Sequence, residues 1–401
     1  MVVNPVISVQ SDRHRGPLGR RIPFLLWPTP FIAFFLITLG YAPQIGTFIY
    51  DHLLVHMGVI SSKVFILGLI CILTIAFQFF FLFVSSIYYY LFADVVPPEF
   101  LGRFMAWFRI VGTGAAFVFH RYIFGLADRY ISMLYLGIAA VFLVSFIVMC
   151  WKVKEGQYDP PPPKTHGNGF IGSIKSFAAE CFSHSIYICF FLTSTLFTIS
   201  LGCTQAFSIF FPRDSLHLNL DQIGKITGWA SLVSMPALLV IGWVSDKFHA
   251  LRVNIFGTLA FGIANLCCFF FMKDTVSYTL WTLITSAVLA IWAASSLPMF
   301  AAVLPKQSFG QFCAATAICN SIGLILGNVL AGKLMDLLGD YSYHYLFNAA
   351  FAIAAFIPGC LMYRQWKRYG GFNSYSAPTV VASHEQIVIN HADSLAADNR
   401  E

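Results

Sequence analysis

Residues 11–24 read SDRHRGPLGRRIPF, and a weaker form of this stretch, GWVSDKFHALRV, recurs at residues 242–253. In both, an aspartate and a cation (Asp12-Arg13 and Asp246-Lys247) lie at the end of an apolar run. Further basic residues and a second apolar run follow each pair. Each stretch is therefore predicted to be a short charged hairpin between two membrane-crossing helices.

The composition excludes a soluble globular protein. Of the 401 residues, 58% are apolar and only 10% are charged, whereas soluble domains carry roughly 25% charged residues. The apolar runs are continuous and about 20 residues long, the length a helix needs to cross a bilayer. A membrane barrel would instead show alternating strands of about ten residues. The sequence predicts an all-α polytopic membrane protein.

We predict ten membrane spans, four before a long polar stretch and six after it. Lys and Arg residues concentrate on the side of the two hairpins, which predicts that this side and both termini are cytoplasmic. The expected location is the cell membrane. The predicted spans are residues 23–44, 64–93, 103–125, 131–151, 186–208, 221–244, 252–272, 276–303, 309–332 and 343–363.

These spans divide the chain into four parts. Residues 1–151 are predicted to form an N-terminal helical bundle, and residues 185–369 a C-terminal bundle of six helices. Between them, residues 152–184 form a cytoplasmic linker with four consecutive prolines and an amphipathic, interfacial helix at residues 170–182. The polar residues 370–401 are predicted to be a disordered cytoplasmic tail.

The two halves also share an internal repeat. The pattern of Pro97, Gly102, Phe104 and Ala106 recurs at identical spacing from Pro305 onward. Two spans precede the Asp246 hairpin, but only residues 1–10 precede Asp12. We therefore expect the first bundle to lack two helices, giving about 10 of 12. We interpret this as a truncated gene model, with a genuine ten-span protein as the alternative.

The hairpins carry a family resemblance. The loop pattern G-x-x-x-D-[RK]-x-G-R-[RK] of the major facilitator superfamily is similar to both stretches, although Ser8 stands where that family usually has Gly. The amino-acid sequence of the first hairpin further resembles that of the sugar–cation symporters of the glycoside–pentoside–hexuronide and sucrose–proton groups. The matching residues are Asp12, Arg13, Gly19, Arg20 and Arg21, and Gly242, Asp246, Lys247 and Arg252.

The resemblance implies two related bundles around a central site, and the repeat predicts how the hairpins act. By the symmetry of the repeat, Asp12 should approach the start of the 309–332 helix, and Asp246 that of the 103–125 helix. An anion is stabilised at a helix N-terminus, so these contacts could latch and release the bundles, with Arg13 and Arg103 as partners. The alternative is that the charges only set the topology.

Arg109 is the sharpest candidate for substrate binding. It lies about two turns inside a predicted span, where a charged side chain usually faces a cavity or a partner. The resemblance implies the same role, because melibiose-permease-like members have a sugar-binding arginine at a comparable place. The alternatives are a side chain that reaches the membrane surface and a pair with Asp94.

Other polar residues at helical spacing are predicted to line a substrate site. Ser85 stands where the sugar–cation symporters that this chain resembles carry a cation-binding carboxylate. This argues against sodium coupling through this helix. Trp292 could stack on a sugar, or simply pack. Asn320 could bind substrate, or hydrogen-bond between helices. The predicted set is Gln78, Ser85, Ser86, Tyr89, Gln205, Trp292 and Asn320, with Arg109.

No predicted span has an Asp or Glu near its centre. The sequence shows no catalytic constellation, metal-ligand spacing or phosphate-binding loop, so we predict no enzyme, cofactor or metal. The prediction is a monomeric secondary transporter of a small polar solute, a sugar, with proton or sodium coupling left open and no nucleic-acid partner. An organic-anion transporter and a non-transporting sensor or relic are the alternatives.

Overall fold

The computed structural model describes residues 14, 16, 18–54, 61–96, 98–155, 181–305 and 309–378. Within these residues the secondary structure is helical, apart from one isolated bridge between Gly16 and Gly19. Asp12, Arg13, most of the predicted linker and residues 379–401 lie outside the described part of the chain. The prediction of an all-helical membrane fold is confirmed.

The described residues contain nine helical segments long and apolar enough to cross a membrane. Trp107–Lys152 counts as one such segment, although its 46 residues include most of the predicted span 103–125 and all of the predicted span 131–151. At about 1.5 Å per residue it is roughly twice as long as the hydrocarbon core is thick. A π-helical turn, Phe119–Ile123, and a 3-10 turn, Phe124–Leu126, divide it into two helices.

Met1–Gly112 and Ile123–Thr165 form the first of two compact units. Prolines in the first turn of three successive helices break the predicted span 23–44, because proline favours the first helical turn and interrupts a helix interior. Helix α2 packs against α4 and α6. The helices that begin in this unit are α1 Ile22–Leu26, α2 Pro28–Gly40, α3 Ala42–Ile49, α4 Ser62–Val95 and α5 Pro98–Val118, with α6 Ala127–Lys152.

Thr113–Tyr122 and His166–Glu401 form the second unit. Helix α7 packs between α12 and α13, while α10 packs between α11 and α13 and α9 packs on α11. Large apolar side chains of these helices, such as Phe190, Phe197 and Trp366, are fully buried. The helices are α7 Ser185–Phe207, α8 Phe210–Asp214, α9 Leu220–Phe248, α10 Ala250–Phe271, α11 Thr275–Val303, α12 Phe309–Leu338, α13 Tyr343–Arg368 and α14 Gly371–Ser374.

The structure describes residues 370–378, at the start of the predicted tail. Helix α14 follows α13 directly, and the Tyr375 hydroxyl donates a hydrogen bond to the Val303 carbonyl at 2.7 Å. The buried Tyr187 hydroxyl donates to the Pro378 carbonyl at 2.7 Å. The hydrogen bonds of Tyr375 and Pro378 therefore attach residues 370–378 to the second unit.

Candidate functional site

A cavity of about 350 Å³ in the second unit carries an unusual density of hydroxyl groups. The cavity wall combines small apolar residues with hydroxyls. Its polar lining residues are Thr227, Ser231 and Ser234 on α9, Thr282 and Ser286 on α11, and His120.

Helical spacing brings the hydroxyls together. Thr227, Ser231 and Ser234 lie at positions i, i+4 and i+7, which share one face of a helix. Thr282 and Ser286 lie at i and i+4 of the helix that packs directly on α9. Two hydroxyl-bearing stripes therefore face the same space.

The hydroxyl protons on α9 are already used within the helix. Thr227 donates to the Ile223 carbonyl at 2.9 Å, Ser231 to the Thr227 carbonyl at 3.0 Å, and Ser234 to the Ser231 carbonyl at 2.7 Å. A hydroxyl oxygen has two lone pairs besides its one proton. These oxygens are thus oriented as hydrogen-bond acceptors for a ligand that carries its own donors.

His120 reaches the cavity from the π-helical turn Phe119–Ile123. The end of α5 that leads into this turn contacts α9, because the Phe117 and Trp229 rings are 6.0 Å apart, edge to face. A Cβ built on Gly228 would lie 3.3 Å from the backbone nitrogen of Arg121, so only a very small residue fits this approach. Single π-helical turns often occur at functional sites.

The wall of this cavity contains no carboxylate among its described lining residues. In the described part of the chain, no three His, Cys, Asp or Glu side chains are grouped as metal ligands. The cavity can therefore contribute neutral hydrogen-bond acceptors and the imidazole of His120 to a bound solute.

The first charged hairpin is closed by a residue that the sequence analysis missed. The Glu155 carboxylate accepts hydrogen bonds from the backbone N–H groups of Arg20 at 2.9 Å, Arg21 at 2.8 Å and Ile22 at 2.7 Å. These N–H groups precede or open α1 and have no acceptor within that helix. The carboxylate satisfies them and complements the positive end of the helix.

Gly19 makes room for this carboxylate. Its φ of +98° favours glycine, and a Cβ there would lie 2.6 Å from Cδ of Glu155. The loop pattern singles out Gly19, and the close approach of Glu155 explains why a larger residue would not fit there.

The second hairpin makes aromatic contacts. Lys247 Nζ lies 5.1 Å from the centre of the Trp243 ring. Arg252 donates through Nε to the Tyr363 hydroxyl at 2.7 Å, and its guanidinium carbon lies 4.5 Å from the Phe372 ring centre. A Cβ on Gly242 would meet nothing within 4 Å.

The side chains of Asp246 and Arg103 lie outside the described part, so their predicted contacts stay predictions.

Comparisons with known proteins agree with this arrangement of helices. Residues 186–375 match the family model described as Major Facilitator Superfamily. The inward-open structure of the xylose transporter XylE from E. coli is similar with a TM-score of 0.63 and 11% identity, over 90% of this chain and 82% of that one. The chain has the major facilitator fold.

Two further proteins are similar to this chain. The nucleoside transporter NupG matches with a TM-score of 0.53 and 15% identity, over 90% of this chain and 100% of that one. A "Putative sugar efflux transporter" from Deinococcus radiodurans is 23% identical over 164 residues, 40% of this chain. That alignment spans 41% of the relative's length. The narrower resemblance to the sugar–cation symporter groups stays a prediction.

The predicted substrate residues of α4 are not among the described lining residues of the hydroxyl-lined cavity. Gln78 is exposed, and Ser85 is half-buried and donates to the Leu82 carbonyl at 3.3 Å within its own helix. The side chains of Ser86 and Tyr89 lie outside the described part. A substrate role for these four residues stays a prediction.

Arg109 is an exposed side chain on α5. The structure records no hydrogen bond or ion pair for it among the described residues, and the Asp94 side chain lies outside them. Its predicted role in binding substrate stays a prediction.

The remaining predicted site residues differ in whether they contact other side chains or are exposed. Trp292 stacks on the buried Phe197, with ring centres 4.5 Å apart, and Gln205 is exposed. The Asn320 amide donates to Ser194 Oγ at 3.0 Å and accepts from Thr195 Oγ1 at 3.3 Å. Asn320 therefore joins α12 to α7, as the interhelical alternative predicts.

A buried polar network was also missed. The Asn348 amide donates to Thr204 Oγ1 at 2.8 Å and to Asn265 Oδ1 at 3.3 Å, while Ser200 donates to the Asn348 carbonyl at 2.9 Å. These residues join α7, α10 and α13. Asparagines within apolar spans were the available signal, since such groups usually hydrogen-bond across helices.

Proposed function

We propose that this protein is a secondary transporter that moves a small polar solute, a sugar, across the cell membrane by alternating access. The observation that carries the proposal is the cavity of about 350 Å³ with hydroxyls from α9 and α11. Binding sites for small molecules range from roughly 300 to 1,000 Å³. A cavity at the small end of that range suits a solute the size of a monosaccharide.

The hydrogen-bonding character of the wall supports a sugar. Thr227, Ser231 and Ser234 present acceptor oxygens because their protons are bonded to their own helix. A sugar carries several hydroxyl donors and acceptors but no net charge. A wall of neutral acceptors, with no carboxylate among its described lining residues, matches such a solute better than a cation.

The similar proteins also support a sugar as the transported solute. One relative is named for sugar efflux, and one structure of similar fold is a xylose transporter. We propose that the solute of this chain is likewise a sugar. Cytoplasmic termini, a monomeric state and a latch made by Asp12 and Asp246 belong to the same proposal.

An organic anion is the second candidate. It is favoured by Arg109, which is exposed on α5 and has no described ionic partner. A guanidinium could neutralise a carboxylate on the solute. The imidazole of His120 in the cavity wall is compatible with either class.

Solute uptake into vesicles tests the proposal. The purified full chain is reconstituted in liposomes, and uptake of a panel of labelled monosaccharides is compared with that of small organic acids, with and without a proton or sodium gradient. We expect saturable uptake of at least one sugar. Uptake of organic acids alone would establish the second candidate, and uptake of neither would favour a non-transporting protein.

A matched pair of variants on α11 tests the cavity itself. Thr282 lines the cavity, whereas Thr285 donates to the Trp281 carbonyl at 2.8 Å and does not line it. Loss of one hydrogen bond of about 1 kcal/mol should raise the KM of Thr282→Val about fivefold. Thr285→Val should leave the KM unchanged. Equal effects of the two variants would show that the solute binds elsewhere.

A further inference from the structure

A second, larger space in the second unit is apolar. This groove has a volume of about 590 Å³ and lies along α10, between the end of α9 and the middle of α11. Its lining includes Val244 and Phe248 of α9, Val253, Phe256 and Ile263 of α10, and Ile291 of α11. Phe248 and Phe256 are largely exposed, at 53% and 67%, so the groove is open along its side.

The floor of the groove is formed where α10 and α11 approach most closely. A Cβ on Gly257 would lie 2.9 Å from Cγ2 of Ile291 and 3.2 Å from the backbone nitrogen of Trp292. From Arg252 to Ile263 the groove follows α10 for roughly 16 Å, at about 1.5 Å per residue. That length is about half of a 30 Å hydrocarbon core, or one leaflet.

One end of this apolar groove is charged. Arg252 lines it, and its orientation is fixed by the Nε bond to the Tyr363 hydroxyl and by the Phe372 ring. A guanidinium has five N–H donors, and the bond to Tyr363 uses only the Nε donor. No ion pair of Arg252 with a carboxylate is recorded in the described part of the chain.

Two further cations lie around this end. Lys367 Nζ is 4.9 Å from the centre of the Tyr363 ring that Arg252 also contacts. Lys247 Nζ is 5.7 Å from the ring of Phe248, which lines the groove. The groove thus combines an acyl-sized apolar channel with a cluster of positive charge at one end.

We propose that this groove binds one anionic phospholipid, with an acyl chain along α10 and the phosphate on Arg252. The two terminal nitrogens of the guanidinium, for which no hydrogen bond is recorded within the described residues, match the oxygens of a phosphate. A basic cluster attracts anionic headgroups by about 1 kcal/mol for each Lys or Arg. A zwitterionic lipid would bring its own cation close to Lys247 and Lys367, which disfavours it. This site is separate from the hydroxyl-lined cavity and does not depend on the solute.

Native mass spectrometry of the purified full chain tests this proposal. Phosphatidylglycerol and phosphatidylcholine with identical acyl chains are titrated separately, and the Kd of the first retained lipid is measured. We expect phosphatidylglycerol to bind about fivefold more tightly, the equivalent of about 1 kcal/mol. Arg252→Gln should abolish this preference. Arg368→Gln, which removes an exposed cation of α13 outside the groove, should keep it.

A second variant covers the case in which Arg252→Gln does not fold. Ala260 lines the groove away from Arg252, so Ala260→Phe fills the channel and leaves the Arg252–Tyr363 contact intact. This variant should lose the first bound lipid of either type. Equal affinity of the wild-type chain for both lipids would overturn the proposal. An unchanged preference in Ala260→Phe would overturn it as well.

Discussion

Glu155 shows how one side chain can stabilise a charged hairpin. Its carboxylate accepts three backbone hydrogen bonds, from Arg20, Arg21 and Ile22. Hydrogen bonds to a charged group contribute about 1.5–3 kcal/mol in favourable cases. Because the site is only part-buried, we expect Glu155→Gln to lower the free energy of unfolding by about 1–2 kcal/mol.

Thermal unfolding of the purified protein in detergent measures this effect as a lower midpoint. Lys154→Gln is the matched control, since Lys154 is the exposed neighbour of Glu155. A midpoint for Glu155→Gln equal to that of the control would show that the three bonds contribute nothing to stability.

The sequence predicted the hairpin but not the residue that closes it. The repeated Asp-cation pairs and the positions of Gly19, Arg20 and Arg21 are visible as a local pattern. Glu155 lies 135 residues from Arg20 along the chain. Contacts at that separation depend on how the helices pack, which local spacing does not reveal.

We expect His249 to make the stability of the protein depend on pH. Its φ is 72°, its Nδ1 accepts a hydrogen bond from the Leu251 N–H, and its ring lies 4.5 Å from that of Trp366. Burial, with Arg252 nearby, lowers the pKa of His249 below its ordinary value of 6.5. Between the lowered pKa and about 6.5, the unfolded chain therefore binds more protons than the folded one.

Stability should accordingly be fully present above about pH 6.5 and fall as the pH drops through that window. Asparagine tolerates a positive φ and can cap a helix without titrating. We expect the difference in unfolding midpoint between the wild type and His249→Asn to shift with pH between about 8 and 5. A difference that stays constant over this range would contradict the assignment.

At the scale of helices, glycines set the distance between α7 and α12. A Cβ on Gly327 would lie 2.6 Å from Cγ2 of Ile199, and one on Gly323 would lie 2.5 Å from Cγ2 of Thr195. Both neighbouring atoms sit on branched, stiff side chains. We expect Gly327→Ala to force the helices apart and to destabilise the protein by about 1–3 kcal/mol.

Gly332 provides the control in the same helix. A Cβ there would make only an ordinary contact, 3.7 Å from Phe207. Because alanine favours a helix over glycine by about 0.5–1 kcal/mol, Gly332→Ala should be neutral or stabilising. If thermal unfolding shows Gly327→Ala to be at least as stable as Gly332→Ala, close packing of α7 on α12 is not what the glycine provides.

The helices themselves were largely predictable, but their faces were not. The predicted spans 186–208 and 276–303 agree closely with α7 and α11, because long apolar runs specify membrane helices. Helix α9 was predicted as well, yet its Thr227, Ser231 and Ser234 stripe was not recognised. Only the packing of α9 on α11 shows that this stripe faces a cavity.

At the scale of the whole molecule, the chain divides into two compact units, and the family match at residues 186–375 lies within the second. The sequence of residues 370–378 has no helical or strand period from which their contacts with the second unit could be predicted. Their anchors are individual contacts of Phe372, Tyr375 and Pro378 with the bundle.

Two shortened chains test whether this segment belongs to the second unit. A chain that ends at residue 378 keeps the bonds from Tyr375 to Val303 and from Tyr187 to Pro378. A chain that ends at residue 369 leaves the buried Tyr187 hydroxyl without its acceptor and uncovers Trp366, which contacts Phe372 and Tyr375. Leaving a buried polar group unsatisfied costs about 1–3 kcal/mol. We therefore expect a lower unfolding midpoint only for the shorter chain, and Tyr375→Phe in the full chain should reproduce part of that loss.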